Sequence, residues 1–339
     1  MKTESNTVIW FKRIVLLSAL LAICVVGLGA YVRLSDAGLG CPDWPGCYGY
    51  MTVPESEAAI AQAQAIFPDS PLEADKAWKE MVHRYLAGIL GLLILSLCVL
   101  GWRDRKSIQV SPWTPTALLI LVTFQAALGM WTVTMLLKPA IVTAHLLGGM
   151  ATLGLLMWIT HRHWGSSSEQ YLPAITPRVL IRGAVIVLFA QIMLGGWTSS
   201  NYAALACTDF PTCHNEWMPP MDFSNGFHWI RELGEGINGT PMTLEALTAI
   251  QWTHRIGALI VFIYLGGLGV YLLKYAKLRA TAVSLVVLLL VQIALGVANL
   301  VLHLPLVLAV AHNLGAALLL VTLVILNSKI TGSGTGRVS

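Results

Sequence analysis

The chain has 339 residues, of which 56% are hydrophobic and only 11% are charged, and its mean hydropathy is +0.71. This composition excludes a soluble globular protein and indicates an all-α integral membrane protein. The net charge of +4 requires no nucleic-acid partner, because the basic residues lie mainly in connections between apolar segments. We therefore expect membrane lipid around the chain, and no nucleic acid.

Eight apolar segments are long enough to cross the roughly 30 Å core of a bilayer as helices. In chain order they lie at 11–32, 80–101, 113–134, 140–161, 179–200, 250–274, 280–302 and 305–328. Two long loops, 34–79 and 201–249, connect spans one to two and five to six. The Ala-rich segment 54–67 predicts a short helix within the first of these loops.

Lysine and arginine residues predict the orientation of the spans. They cluster before the first span, after the second, around the link between the fourth and fifth, between the sixth and seventh, and after the last: Lys2, Lys12, Arg13, Arg103, Arg105, Lys106, Arg162, Arg178, Arg182, Lys274, Lys277, Arg279, Lys329 and Arg337. The positive-inside rule places these residues in the cytoplasm. We expect a multi-pass protein of the bacterial inner (cell) membrane, with cytoplasmic termini and both long loops on the outer side.

The sequence repeats itself with an offset of about 167 residues. CPDWPGC at 41–47 matches CTDFPTC at 207–213, and QAALG at 125–129 matches QIALG at 292–296. Each half contains four spans, an even number, so both halves have the same orientation and form a parallel repeat. Because the fifth span is the counterpart of the first, we expect the first span to be retained rather than cleaved as a signal peptide.

This repeat predicts two tandem four-helix bundles. The N-terminal bundle covers 1–163 and the C-terminal bundle covers 178–329. A polar, Ser-rich cytoplasmic linker at 164–177 joins them, and a cytoplasmic tail follows at 330–339.

Four histidines occupy matching positions in the two halves: His83 and His145 in the first, His254 and His312 in the second. A histidine within a membrane is costly and usually marks a functional site. Each lies near the start of an even-numbered span, so all four share one depth near the outer surface. The alternative is a buried histidine satisfied by a neighbouring hydroxyl or carbonyl group. Four such residues, paired by the repeat, favour two bis-histidine haem sites instead.

Charged residues flank these candidate ligands. Arg84 and Arg255 each follow a histidine directly, where a guanidinium group could bind a haem propionate in bidentate fashion or extend to the membrane interface. Glu80 lies one turn before His83, whereas the corresponding residue in the second half is Gln251. An acid next to an apolar zone can relay protons, although an acidic residue is also common in the first turn of a helix.

Two cysteine pairs, Cys41 with Cys47 and Cys207 with Cys213, lie in the long loops with five residues between the members of each pair. Disulfides persist on the outer side of a membrane, so structural or redox-active disulfides are the main interpretations. Metal binding is the third, but no loop histidine is placed symmetrically with both pairs.

Taken together, these motifs resemble the haem A synthase family over essentially the whole chain. The resemblance rests on Arg33 followed by GLGCPDWPGCYG at 38–49, E-x-x-H-R at 80–84, T-A-H ending at His145, C-x-D-F-P-x-C at 207–213, T-H-R around His254, and A-H-N around His312. Each motif alone is weak, whereas the set is highly specific.

The resemblance implies an oxidoreductase acting on a CH or CH2 group, which oxidises the C8 methyl of haem O to a formyl group and so makes haem A. It further implies that His254 and His312 bind a haem B cofactor, that His83 and His145 bind the substrate haem, and that Glu80 is catalytic. The loop cysteines are associated with electron transfer or haem handling. The implied partners are haem O synthase and the assembly of haem–copper oxidases.

Two other classes of protein bind haems with intramembrane histidines. A di-haem b-type electron carrier, such as a quinol oxidoreductase, carries its haems toward opposite membrane faces, whereas the four histidines predicted here lie near one face. A haem transporter would bind haem without turnover.

Overall fold

The computed structural model of the protein describes residues 5–108, 110–164 and 175–331. All regular secondary structure within these ranges is helical, which confirms the predicted fold class. Most of the predicted linker 164–177 and of the tail 330–339 lies outside the described residues, as do Lys2 and Arg337.

Eight long helices within the described ranges match the eight predicted spans, and each is long and apolar enough to cross a membrane. They are α1 Asn6–Leu34, α3 Ala74–Arg103, α4 Trp113–Thr134, α5 Pro139–Trp164, α6 Ile175–Ser200, α8 Leu244–Leu272, α9 Arg279–Val301 and α10 Leu306–Thr331. The shorter helices are α2 Glu57–Ile66, within the predicted segment 54–67, and α7 Phe223–Gly226.

Helices α3 and α8 begin about six residues earlier than the apolar segments from which they were predicted. The side chain of Thr243 caps α8 by accepting a hydrogen bond from the Ala246 N–H, and both helices project beyond their apolar part into the loop region. Hydropathy marks only the part of a helix that is apolar, so it misses such polar first turns. Glu80 therefore lies in the second turn of α3, and its interpretation as a first-turn acid is wrong.

The long helices pack in two groups of four. In the first group α1 contacts α3 and α5, and α4 contacts the same two helices; in the second, α6 and α9 each contact both α8 and α10. The groups meet where α5 packs on α6 and α10, and where α1 packs on α10. Leu153 and Leu156 of α5 and Leu320 and Leu323 of α10 are buried in this central region.

Large apolar side chains remain exposed along the outside of the long helices, among them Leu92, Ile120, Ile186, Ile263 and Val287. Exposed apolar residues at this density are unfavourable in water and are normal for helices surrounded by lipid. The exposed surface therefore agrees with a multi-pass membrane protein.

Both long loops fold against the end of the molecule at which α3, α5, α8 and α10 begin, here called the loop end. In the first loop, the disulfide residues Cys41 and Cys47 form a small core with Tyr48, Ala63 and Met81. In the second loop, the Trp197 indole N–H donates to the Gly226 carbonyl at 2.9 Å. The histidine-bearing turns thus lie beneath ordered loops.

Candidate haem-binding site

His83 of α3 and His145 of α5 face each other across the first helix group. Their ring centroids are 6.5 Å apart and the ring planes meet at 76°. An imidazole nitrogen binds a metal ion at about 2 Å, so two rings on opposite sides of one ion have centroids about 6 Å apart. The observed separation fits a flat metal cofactor held between the two imidazoles.

The second pair is arranged on matching helices. His254 lies on α8 and His312 on α10, and both rings are largely buried, at the same end of the molecule as the first pair. His145 and His312 are each the seventh residue of their helices. The structure therefore places His83 and His145 face to face, and it places all four histidines toward the loop end.

Each of the four imidazoles packs over a glycine on a neighbouring helix. A Cβ atom at that glycine would lie only 3.0–3.4 Å from the ring Cε1. Glycine permits such close approach because it has no side chain. The four contacts are Gly29 with His83, Gly129 with His145, Gly195 with His254, and Gly296 with His312. Sequence reasoning missed these glycines, although the repeated segments QAALG and QIALG end on two of them.

Glutamine side chains reach two of the histidines from the same neighbouring helices. The amide Nε2 of Gln191 lies 3.1 Å from His254 Nδ1 and donates to the His254 carbonyl at 3.0 Å. The amide of Gln292 donates to the His312 carbonyl at 3.0 Å. Through the bonds to the two carbonyls, these amides hold the turns that carry His254 and His312.

Glu80 is buried, with 5% of its surface exposed, and it contacts the first disulfide loop. Its carboxylate accepts a hydrogen bond from the Cys41 N–H at 3.0 Å and forms an ion pair with Arg84. Arg84 also donates to the carbonyls of Asp43 and Gly46. The residues on either side of His83 therefore bind this helix to the loop.

Arg255 makes the matching connection in the second half. It donates to the carbonyls of Thr212 and Cys207 at 2.8 and 3.0 Å. Sequence reasoning considered propionate binding and extension to the interface for Arg84 and Arg255, but not this contact. The signal available was that the H-R dipeptide and the C-x-D-x-P-x-C motif repeat together.

Both predicted cysteine pairs form disulfides, Cys41 to Cys47 and Cys207 to Cys213, and all four residues are buried. A backbone hydrogen bond closes each loop, from the Cys47 N–H to the Tyr50 carbonyl in the first and from the Cys213 N–H to the Glu216 carbonyl in the second. Among the described residues no cluster of three or more His, Cys, Asp or Glu side chains could hold a metal ion.

The aspartate inside each motif holds the turn that follows the proline. Asp43 accepts hydrogen bonds from the Tyr48 and Gly49 N–H groups at 2.6 and 2.8 Å. Its counterpart Asp209 accepts from the Thr212 hydroxyl and from the backbone N–H groups of the two residues after Cys213. These bonds lower the pKa of Asp209 to about 2, so the carboxylate stays ionised at physiological pH.

We expect the two disulfides to be present in freshly prepared protein, because each loop is closed around a buried bond. Alkylation without reductant, followed by non-reducing mass spectrometry, should leave the four loop cysteines unmodified. Prior reduction is the control, after which all four should become available to the reagent. Four alkylated loop thiols in unreduced protein would contradict a stable disulfide and favour a reduced resting state.

The two histidine pairs are neighbours across the contact between α5 and α6. Gly196 packs against Leu146, the residue after His145, where a Cβ would lie 2.9 Å from the leucine side chain. The preceding residue, Gly195, packs against the His254 ring. Two consecutive glycines of α6 thus connect the surroundings of the two pairs.

An arginine strengthens the same contact at the loop end. Arg33 at the end of α1 donates to the Ser199 carbonyl of α6 at 2.8 Å and lies 4.3 Å from the centre of the Tyr202 ring. The Tyr202 hydroxyl in turn donates to Asp36 at 3.1 Å. These polar contacts hold the two helix groups together above the histidines.

Comparison with known proteins shows similarity over nearly the whole chain. The profile of the family COX15-CtaA, described as "Cytochrome oxidase assembly protein", matches residues 12–324. The heme A synthase of Shewanella oneidensis is 44% identical over 334 residues, covering 97% of this chain and 99% of that protein. The heme A synthase of Caulobacter vibrioides is 30% identical over 330 residues, covering 89% and 90%, and that of Halalkalibacterium halodurans is 25% identical over 309 residues, also covering 89% and 90%.

Proposed function

Because the chain belongs to the COX15-CtaA family of cytochrome oxidase assembly proteins, we propose that it is a haem A synthase, an oxidoreductase that converts the C8 methyl of haem O to a formyl group. The relatives that carry this name match it from end to end. The observation that carries the proposal is the facing pair His83 and His145. Their ring centroids are 6.5 Å apart, and each ring packs on a glycine of a neighbouring helix. This pair suits a porphyrin iron bound from both faces.

We assign the substrate haem O to the pair His83 and His145, and a resident haem B to the pair His254 and His312. The assignment rests on the one chemical difference between the two sites, Glu80 in the first and Gln251 in the second. When bound, haem B supplies one-electron redox chemistry. The packing of Gly195 and Gly196 keeps the two sites adjacent, which favours electron transfer between them.

Two axial histidines leave no open position on the substrate iron for oxygen. We therefore propose that the methyl group is oxidised by removal of electrons and attack of water. The first oxidation joins one water oxygen to the methyl carbon and gives a hydroxymethyl group, and the second converts this group to the formyl. Each releases two electrons and two protons, and haem B at the second pair would pass the electrons singly to an external electron acceptor. Glu80 is placed to accept a proton, because the N–H of Cys41 and the guanidinium of Arg84 fix its carboxylate one turn from His83.

The two arginines connect the sites to their loops. Arg84 and Arg255 already donate hydrogen bonds to loop carbonyls. A haem propionate would therefore have to share the guanidinium N–H donors with these carbonyls. We propose that their main role is to hold each disulfide loop over its histidine pair. The loops would then exclude bulk water from the reacting haem.

We also propose that the two helix groups are the units of a parallel repeat, 1–163 and 178–329, with the loop end on the outer side of a bacterial cell membrane. The basic residues Arg103, Arg162 and Lys329 lie in the last turns of α3, α5 and α10, at the end opposite the loops. The positive-inside rule favours this orientation. Haem O synthase would supply the substrate, and haem–copper oxidase assembly would use the product.

Pigment analysis of purified protein tests the proposed function. Protein from cells that also express a haem O synthase should contain haem B together with haem O or haem A, identified by extraction and chromatography. Protein from cells lacking haem O synthase should contain no haem O or haem A. Two identical haem B molecules that do not exchange would support a di-haem carrier instead, and bound haem O without any haem A would support a transporter.

A further inference from the structure

Three of the four candidate ligands share a combination of glutamine and glycine that the fourth lacks. In these three, a glutamine stands four residues before the glycine that contacts the imidazole, and a second glycine stands three residues after the histidine. The three sets are Gln125, Gly129, His145 and Gly148; Gln191, Gly195, His254 and Gly257; and Gln292, Gly296, His312 and Gly315.

The structure explains why the glutamine and the second glycine occur together. The amide occupies the space beside that glycine, where a Cβ would lie 1.7 Å from the Gln125 amide and 2.1 Å from the amides of Gln191 and Gln292. Any other residue at Gly148, Gly257 or Gly315 would displace the amide. Each glutamine and its glycine therefore form one unit, here called the amide clamp.

Two of the three clamps form hydrogen bonds to the histidine residue. Gln191 reaches both the ring and the carbonyl of His254, and Gln292 reaches the carbonyl of His312. The amide of Gln125 is turned so that Nε2 faces Gly148, and among the described residues it has no hydrogen-bond partner. It nevertheless occupies the same place beside the turn of His145.

His83 has neither part of the clamp. Val25 stands four residues before Gly29, and Leu86 stands three residues after His83. Neither aliphatic side chain could form a hydrogen bond to the turn of His83. Within the described part of the chain, the buried Nδ1 atoms of His83, His145 and His312 all lack a hydrogen-bond partner, so His83 is distinguished by the missing amide and glycine and not by the ring contact. The first pair therefore combines a clamped histidine with an unclamped one, whereas both histidines of the second pair are clamped.

We propose that the amide clamps are positioning elements that hold three axial histidines for tight haem binding, and that the unclamped His83 is the exchangeable ligand through which the first site admits and releases its haem. This inference rests on the proposed function, because it uses the assignment of substrate to the first pair. A contact to the imidazole of a ligand typically changes metal affinity about 10- to 100-fold, and among the clamps Gln191 makes such a contact, to His254 Nδ1. A site that must release its product releases it faster when one of its ligands lacks a clamp.

Haem transfer to excess apomyoglobin measures this property without relying on turnover. Haem O or haem A from the first site and haem B from the second are separable by chromatography, so one time course reports both sites. In the unaltered protein, we expect haem O and haem A to leave faster than haem B. Equal rates for the two sites would overturn the proposal.

Two variants should change the two rates separately. Gln191→Met keeps the side-chain volume but removes the amide, so haem B should leave about 10- to 100-fold faster and its low-spin spectrum should change, with the first site unaffected. The double variant Val25→Gln/Leu86→Gly supplies the missing clamp, so release of haem O and haem A should slow about 10-fold or more. Leu86→Gly alone removes packing without adding an amide and should not slow release.

The matched control is Gln62→Met, because the Gln62 amide oxygen accepts a hydrogen bond from the Tyr50 hydroxyl in the first loop, far along the chain from any clamp. Both release rates should remain unchanged in it. If the double variant does not fold, Gln191→Met decides alone, and unchanged haem B retention would overturn the proposal. Absence of haem A from cells carrying the unaltered protein would contradict the proposed function itself, which is a separate outcome.

Discussion

Replacing Glu80 with glutamine is expected to lower haem A formation by about 10²–10⁴-fold, the usual cost of losing one positioned acid–base group, while haem B stays bound. The glutamine carbonyl can still accept the Cys41 N–H bond that the carboxylate accepts now. The second half already contains an amide, Gln251, at this place. The variant should therefore insert into the membrane, keep its first disulfide and accumulate haem O or a partly oxidised haem.

The measurement is haem extraction and chromatography from cells that express the Glu80→Gln variant beside a haem O synthase. Arg84→Lys is a useful companion, because it weakens the contacts to the loop carbonyls while keeping the Glu80 carboxylate itself and a positive charge beside it. If proton transfer is the role of Glu80, Glu80→Gln should lose far more haem A than Arg84→Lys. Near-normal haem A from Glu80→Gln would leave Glu80 as a loop contact only, and loss of all haem would make its role structural.

The spans and histidines could be predicted from the sequence because both depend on one-dimensional signals. A bilayer requires about 20 apolar residues per helix, so hydropathy identifies α1 and α10 directly. An ionisable residue inside such a segment is rare enough to stand out, as His145 does within TAHLLGG. The internal repeat then paired the histidines, and the structure places His83 and His145 face to face.

The missed features depend on contacts between helices. Glycine is common in membrane helices, so nothing in one helix reveals that Gly29 or Gly296 faces an imidazole on another. The signal was present as the recurring spacing of glutamine and glycine at 125–129, 191–195 and 292–296. The spacing can be interpreted only when the structure shows that the amide contacts the turn of a histidine on another helix.

The roles of the arginines were hidden for a related reason. The sequence shows that Arg84 follows a candidate ligand, but it does not show that the loop of Cys41 and Cys47 returns over the start of α3. A guanidinium has five N–H donors and satisfies them with whatever acceptors are nearest. Here these are loop carbonyls and Glu80, and this fixes the first disulfide loop beside the ligand that precedes Arg84.

Replacing His312 with alanine is expected to remove haem B from the purified protein, because it deletes one of the two proposed axial ligands. His312 packs over Gly296 and is reached at its carbonyl by the Gln292 amide, and these contacts hold its imidazole in place. Loss of an outer-shell contact alone costs about 10- to 100-fold in affinity, and loss of a ligand should cost more. The low-spin haem B absorbance should therefore disappear.

Two further variants test whether haem B is lost because a ligand of the second pair is removed. His228→Ala removes a histidine from the second loop of the same half and should leave haem B in place. His145→Ala removes a ligand from the other pair, so it should deplete haem O and haem A while haem B remains. If His145→Ala abolishes haem B and His312→Ala leaves it intact, the assignment of the two haems is inverted, and haem B belongs to the pair His83 and His145. Glu80 would then lie beside the resident cofactor, where a carboxylate next to His83 could tune the haem but could not take a proton from a methyl group held by the other pair.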